Sequence, residues 1–224
     1  MGNLPPDNEE LCTEAFISLG LSMSEKGAND FPRVLLLLSS FLDRAVQNNE
    51  KLLDIKKVKE SLTVFHGLKA PNLGIQRYME RIYKYSKCSP SCFVLGLVYM
   101  DRYLQQPGVY VTALNVHRLL ITSVVIAAKF IDDAFYNNAY YAKVGGISTR
   151  EMNRLELDLL FCIDFRLKVD VTTFGKYCLQ LEKEATIYQV EWPIKACGLV
   201  EIKHFEDTKC HSVAQRHAEA VEGL

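Results

Sequence analysis

Apolar positions recur at three- and four-residue steps along most of the chain, the spacing that lines one face of a helix. Residues 31–47 carry Phe31, Leu35, Leu38, Leu42, Ala45 and Val46 in that rhythm. Asp30 suits an N-cap, with Pro32 in the first turn. Residues 50–73 turn polar and then rich in breakers (Gly67, Pro71, Asn72), which predicts a linker. A second stripe opens at Ile75 and continues through Tyr78, Met79, Ile82 and Tyr83. Ser89-Pro90 has the form of a cap followed by a first helical residue. From Cys92 to Leu104, and again from Thr112 to Lys129, the pattern is apolar on nearly every side. Such helices must be surrounded by others, so these two form the predicted centre of the domain.

Beyond them, the pairs Asp132-Asp133, Asn137-Asn138 and Gly145-Gly146 break the pattern, and only a short amphipathic turn, Ala139 to Val144, fits between. Ser148-Thr149-Arg150-Glu151 is a capping box ahead of Met152, Leu155, Leu159, Leu160 and Ile163. A last helix is predicted from about Thr172 to Glu182. Val109–Val111 and Lys168–Val171 are too short to build a sheet. Residues 185–224 are polar and weakly periodic after Trp192-Pro193, and read as an extension. The fold class expected is therefore all-α.

Composition narrows the function. The chain has 224 residues, 49% apolar and 24% charged, enough for one domain with a full core. A formal net charge of −1 offers no basic field for nucleic acid. The longest apolar run, Leu119 to Ile131, contains Lys129 and is well short of the roughly 20 residues that cross a bilayer. Pro5, Pro6, Asp7, Glu9 and Glu10 interrupt any early apolar run, which reads against a signal peptide. Seven scattered cysteines and no Asn-x-Ser/Thr acceptor read as reduced thiols in an intracellular protein of the nucleus or cytoplasm.

Catalytic patterns are missing. There is no phosphate-cradling glycine loop, no His-Arg-Asp or Asp-Phe-Gly, and no nucleophile elbow. Cys88 and Cys92 lack a second pair of zinc ligands nearby and read as packed thiols. His204, Cys210, His211 and His217 carry no ordered metal spacing, and Asp132-Asp133 reads as a solvated loop pair. The expectation is a non-enzyme with no metal and no small-molecule cofactor. Two charges stand out. Lys129 follows Val125 by four and Ile126 by three, and Glu156 sits four after Met152 and four before Leu160, so each interrupts an apolar face. Each alone reads as a snorkelling lysine or an exposed acid. Together on an apolar rim they have the composition of a protein-binding face.

Four segments carry a resemblance: Tyr99-Met100-Asp101-Arg102-Tyr103-Leu104; Ala127-Ala128-Lys129-Phe130; Tyr141-Ala142-Lys143-Val144-Gly145-Gly146-Ile147; and Asn153-Arg154-Leu155-Glu156 with Phe165-Arg166-Leu167. In this order the chain resembles the cyclins. With its Ser89-Pro90-Ser91-Cys92-Phe93 start it is most similar to the plant P-type or U-type kind, which are like fungal phosphate-response cyclins. The resemblance covers about residues 60–182. It implies a single five-helix cyclin box, its helices at about 75–86, 90–105, 112–130, 136–144 and 148–162, with flanking N- and C-terminal helices. The implied division is an N-terminal helical extension (1–59), the box (60–168) and a C-terminal helix and tail (169–224). A second box would need five more helices than residues 169–224 can supply.

The resemblance further implies a regulatory subunit that binds and activates a cyclin-dependent serine/threonine protein kinase. Lys129 and Glu156 would contact the kinase's mobile helix, about a helix-width apart. Ile126, Phe130, Leu160, Phe165 and Leu167 would line an apolar groove between them. Asp101 would be structural, paired with an arginine of the first box helix, Arg77 or Arg81. The docking patch of cell-cycle cyclins, Met-Arg-Ala-Ile-Leu with a nearby Trp, is replaced by Ile75-Gln76-Arg77-Tyr78-Met79, so docking of that kind is not expected. The rival class is a cyclin-fold adaptor or scaffold, including a transcription-type adaptor, that does not activate a kinase.

Overall fold

The computed structural model describes residues 13–21, 31–57 and 60–186. All the regular structure in these residues is helical: α1 (13–18), α2 (Arg33–Lys56), α3 (Ile75–Ser86), α4 (Pro90–Leu104), α5 (Val116–Ile131), α6 (Asn138–Gly145), α7 (Thr149–Cys162) and α8 (Val171–Thr186). Asp30, the expected cap of α2, and the tail with Trp192, His204, Cys210, His211 and His217 lie outside the described residues.

The two all-round apolar segments become the central pair. Every residue of α4 from Cys92 to Asp101 is buried, and so is every residue of α5 from Leu119 to Ala128. The helices approach closely because Gly96 has no side chain. A Cβ there would lie 3.3 Å from Val124 Cγ2 and 3.4 Å from the Val124 backbone nitrogen. α3, α6 and α7 pack against α5, with α6 between α3 and α7, while α2 lies against α3, α4 and α8.

Two boundaries and one cap differ from the sequence reading, each for a local reason. α2 runs on to Lys56, into the first seven residues of the stretch predicted as linker. Residues 50–56 are Glu, Lys, Leu, Asp and Ile without Gly or Pro, so helix propensity carries them on. Glu50 there accepts the Ala113 amide at 2.9 Å. α5 starts at Val116, not Thr112. Asn115 accepts the Thr112 amide at 2.9 Å and donates to the Tyr110 carbonyl at 2.7 Å, which holds 110–115 as a turn. The capping box of α7 is half formed: Ser148 Oγ accepts the Glu151 amide at 3.1 Å, but the Glu151 carboxylate accepts from Arg118 at 2.7 Å.

Asp132 is not a free loop acid. At the end of α5 it accepts the Ser89 amide at 3.0 Å and the Cys92 thiol at 3.2 Å, tying α5 to the start of α4. Cys88 and Cys92 are both buried there. The hydrogen bond between the two sulfurs holds the Cys88 thiol below its ordinary pKa, and that same bond together with burial pushes Cys92 far up.

Candidate functional site

Three polar side chains of the Tyr99–Leu104 motif, Tyr99, Asp101 and Arg102, meet α8 and the loop after α7, each with its own partner. Asp101 is 7% exposed and accepts the Tyr177 hydroxyl of α8 at 2.6 Å. Neither expected arginine fills that place: Arg77 is exposed, and Arg81 donates to the Lys143 carbonyl at 3.1 Å. Tyr99 donates to the Leu167 carbonyl at 2.9 Å. Arg102 donates to the carbonyls of Arg166 and Lys168, the latter at 3.2 Å. α4 thus grips the backbone of 166–168 at three carbonyls. The role of Arg102 was not legible beforehand, since nothing in a string of residues shows which loop a guanidinium will meet.

Held by that grip, the chain after α7 adopts an uncommon path. Asp164 and Phe165 are consecutive non-glycine residues in the left-handed region, at φ 54° and 52°. The Phe165 amide donates to the Leu160 carbonyl at 2.9 Å, closing the turn against the end of α7. The Phe165 ring stays 53% exposed and meets Phe161 edge-on at 5.2 Å.

Lys129 and Glu156 come together, as expected, but more closely. Lys129 Nζ lies 2.6 Å from Glu156 Oε1, a direct ion pair between α5 and α7 in place of two charges a helix-width apart. Asn138, the first residue of α6, donates through Nδ2 to the second Glu156 oxygen at 2.6 Å and to Asn153 at 2.8 Å. Its Oδ1 is buried and accepts no hydrogen bond. Sequence reading missed Asn138, whose Asn-Asn setting reads only as a breaker.

The predicted apolar lining divides. Phe130, next to Lys129, is 49% exposed. Leu160 and Leu167 are partly buried against the core. Ile126 is 3% exposed and belongs to the core, so it lines no open surface. The residue four before Phe130 shares its helix face, but that face turns inward one turn earlier. Exposed apolar residues not foreseen are Leu157, beside Glu156, and Phe161. The two helices that carry the ion pair therefore expose Phe130, Leu157 and Phe161, and the following loop adds Phe165.

Among the described residues, no group of three or more His, Cys, Asp or Glu is placed to hold a metal ion, and no helix is long and apolar enough to cross a membrane.

The family model described as Cyclin matches residues 32–167, which takes in α2 as well as the helices expected from the motifs. Cyclin-P3-1 of Oryza sativa subsp. japonica is 58% identical over 232 aligned positions, covering 100% of this chain and 98% of that protein. Cyclin-U3-1 of Arabidopsis thaliana is 46% identical, over 88% of this chain and 90% of that protein. Cyclin-U4-1 of Arabidopsis thaliana is 52% identical, over 70% of this chain and 78% of that protein. With an all-helical box built around the Asp-Arg-Tyr-Leu helix, and relatives alike along nearly its whole length, the chain belongs to the cyclin family, in its P-type or U-type branch, and its role is regulatory.

Proposed function

We propose that this cyclin binds a cyclin-dependent serine/threonine protein kinase through the surface around Lys129 and Glu156 and activates it there. The observation that carries the reading is the combination of a partly buried ion pair with half-exposed phenylalanines on the same two helices and the following loop. An apolar surface kept open around satisfied charges is the composition of a protein-docking face.

The mechanism is a population shift. A kinase active site needs its catalytic lysine paired with a glutamate on a mobile helix, and its activation loop ordered. A partner that binds only that arrangement raises its share. Phe130, Leu160 and Phe165 provide apolar contact for the kinase's helix, in the helix-in-groove mode. Lys129 and Glu156 provide donors and acceptors at the rim. Leu167 supports the loop from beneath, and Asp101 acts structurally through Tyr177.

The test is titration of the full chain against a panel of purified cyclin-dependent kinases, with phosphorylation of a standard substrate read beside binding. One kinase should bind and gain activity. Phe165→Ala should weaken that binding by about 2 kcal/mol or more, as for a buried aromatic anchor in an interface. Binding without a gain in activity would leave an adaptor or scaffold, the rival reading. No binding to any member of the panel would overturn the proposal.

A further inference from the structure

Between α3 and α6 lies an open cleft of about 570 Å³ whose charged lining is mostly basic. Arg77, Arg81 and Lys84 stand at i, i+4 and i+7 on one face of α3, a row roughly 10 Å long at the helical rise per residue. Lys143 faces them from α6. Glu80 is the single acid in the lining, and its carboxylate already accepts the Gln76 amide at 3.0 Å. None of the four cations makes an ion pair among the described residues. A chain of net charge −1 thus gathers four cations against one acid in one concave place.

The walls are tied together from within. Arg81 donates to the Lys143 carbonyl at 3.1 Å, and Tyr140 of α6 donates to the Tyr85 carbonyl of α3 at 2.8 Å. Neither bond uses a carboxylate, so the Arg81 guanidinium is held in position without being neutralised. Low-dielectric walls of this kind concentrate the field on whatever enters.

We propose that this cleft docks a phosphorylated segment of a protein partner, with a phosphoserine or phosphothreonine between the α3 row and Lys143. A phosphate carries about −1.5 to −2 charge near neutral pH and accepts bidentate hydrogen bonds from arginine, which suits two arginines one turn apart with two lysines beside them. A lone carboxylate would meet only a fraction of that charge. The row spans too short a distance to follow a nucleic-acid backbone for more than a few phosphates. The site is separate from the Lys129–Glu156 surface and needs no kinase, so its test stands apart from the proposal above. α6 is the element common to both: Asn138 at its start holds Glu156, and Lys143 near its end lines the cleft.

The experiment is fluorescence anisotropy on the full chain without kinase. The probes are three peptide pools with randomised neighbours around a fixed phosphoserine, a fixed serine, or two adjacent glutamates. The phosphoserine pool should bind at least about tenfold more tightly than either other pool, and binding should weaken as salt is raised. Arg77→Glu combined with Lys84→Glu should cost at least another tenfold. Both side chains are exposed and neither joins the wall-to-wall bonds, so circular dichroism and melting should stay those of the parent. Equal binding of the glutamate pool would make this a general acid site and overturn the phosphate assignment. Binding unaffected by the double reversal, absence of saturable phosphopeptide binding, or tighter binding of a short single-stranded RNA would each overturn it as well.

Discussion

The hydroxyl of Tyr177 donates to the carboxylate of Asp101 at 2.6 Å, joining the last described helix to the most buried one across 76 positions of sequence. Both residues are almost fully withdrawn from solvent. Tyr177→Phe keeps the ring and deletes the donor. A hydrogen bond to a charged group contributes about 1.5–3 kcal/mol net, and that loss is expected in chemical denaturation of the variant. An unchanged midpoint would show that Asp101 takes its structural support elsewhere.

Lys129 and Glu156 satisfy one another in the free chain, so removing either has a stability cost as well as a binding cost. Glu156→Ala leaves a partly buried ammonium with no carboxylate, and Lys129→Ala leaves Glu156 with Asn138 alone. Each single variant should lose about 1–3 kcal/mol, and the double variant less than the sum, with a coupling of at least about 0.5 kcal/mol. Additive losses in a double-mutant cycle of thermal unfolding would mean that the pair contributes nothing as a pair.

The left-handed residues after α7 give a prediction of opposite sign. An L-residue in that region costs about 1–2 kcal/mol relative to glycine, offset by about 0.4–1 kcal/mol from the greater freedom of glycine in the unfolded chain. Asp164 is exposed and makes no side-chain hydrogen bond among the contacts described. Asp164→Gly should therefore raise stability by roughly 0.5–1 kcal/mol. A lower melting temperature would show that the Asp164 side chain contributes more than its backbone costs.

Alkali should unfold the domain through its tyrosines. Burial pushes Tyr99 and Tyr103 up to about 12, and Tyr78, Tyr141 and Tyr177 up further. These groups stay neutral in the folded chain while the unfolded chain ionises near 10. Their stabilisation is thus present in full below about pH 10 and is lost as the pH rises through about 12. Tyrosinate absorbance should rise together with loss of helical circular dichroism. Absorbance rising ahead of unfolding would mean that the buried hydroxyls are reachable by solvent.

Much of this was legible because local chemistry marks element ends. Asn137 accepts the Tyr140 amide, Ser148 accepts the Glu151 amide, and Gly146 sits at φ 72°, so α7 begins at its expected cap and α6 begins and ends within one residue of the expected turn. Lys129 and Glu156 were visible as charges on apolar faces. What was hidden is long-range pairing. A periodic stripe gives the buried face of α8 but not that Tyr177 reaches Asp101, nor that Asp170 caps this helix by accepting the Thr173 amide at 2.8 Å. Ile126 shows the converse limit, since a motif position assigns a role without saying how deep the side chain lies.

Tyr99 and Arg102 fasten the backbone of 166–168 from within the domain. The ordering entropy of that loop is therefore spent when the domain folds, not when something docks on Phe165. Association at this face should resemble a key entering a cut lock, with little extra disorder to quench and a loop equally rigid before and after.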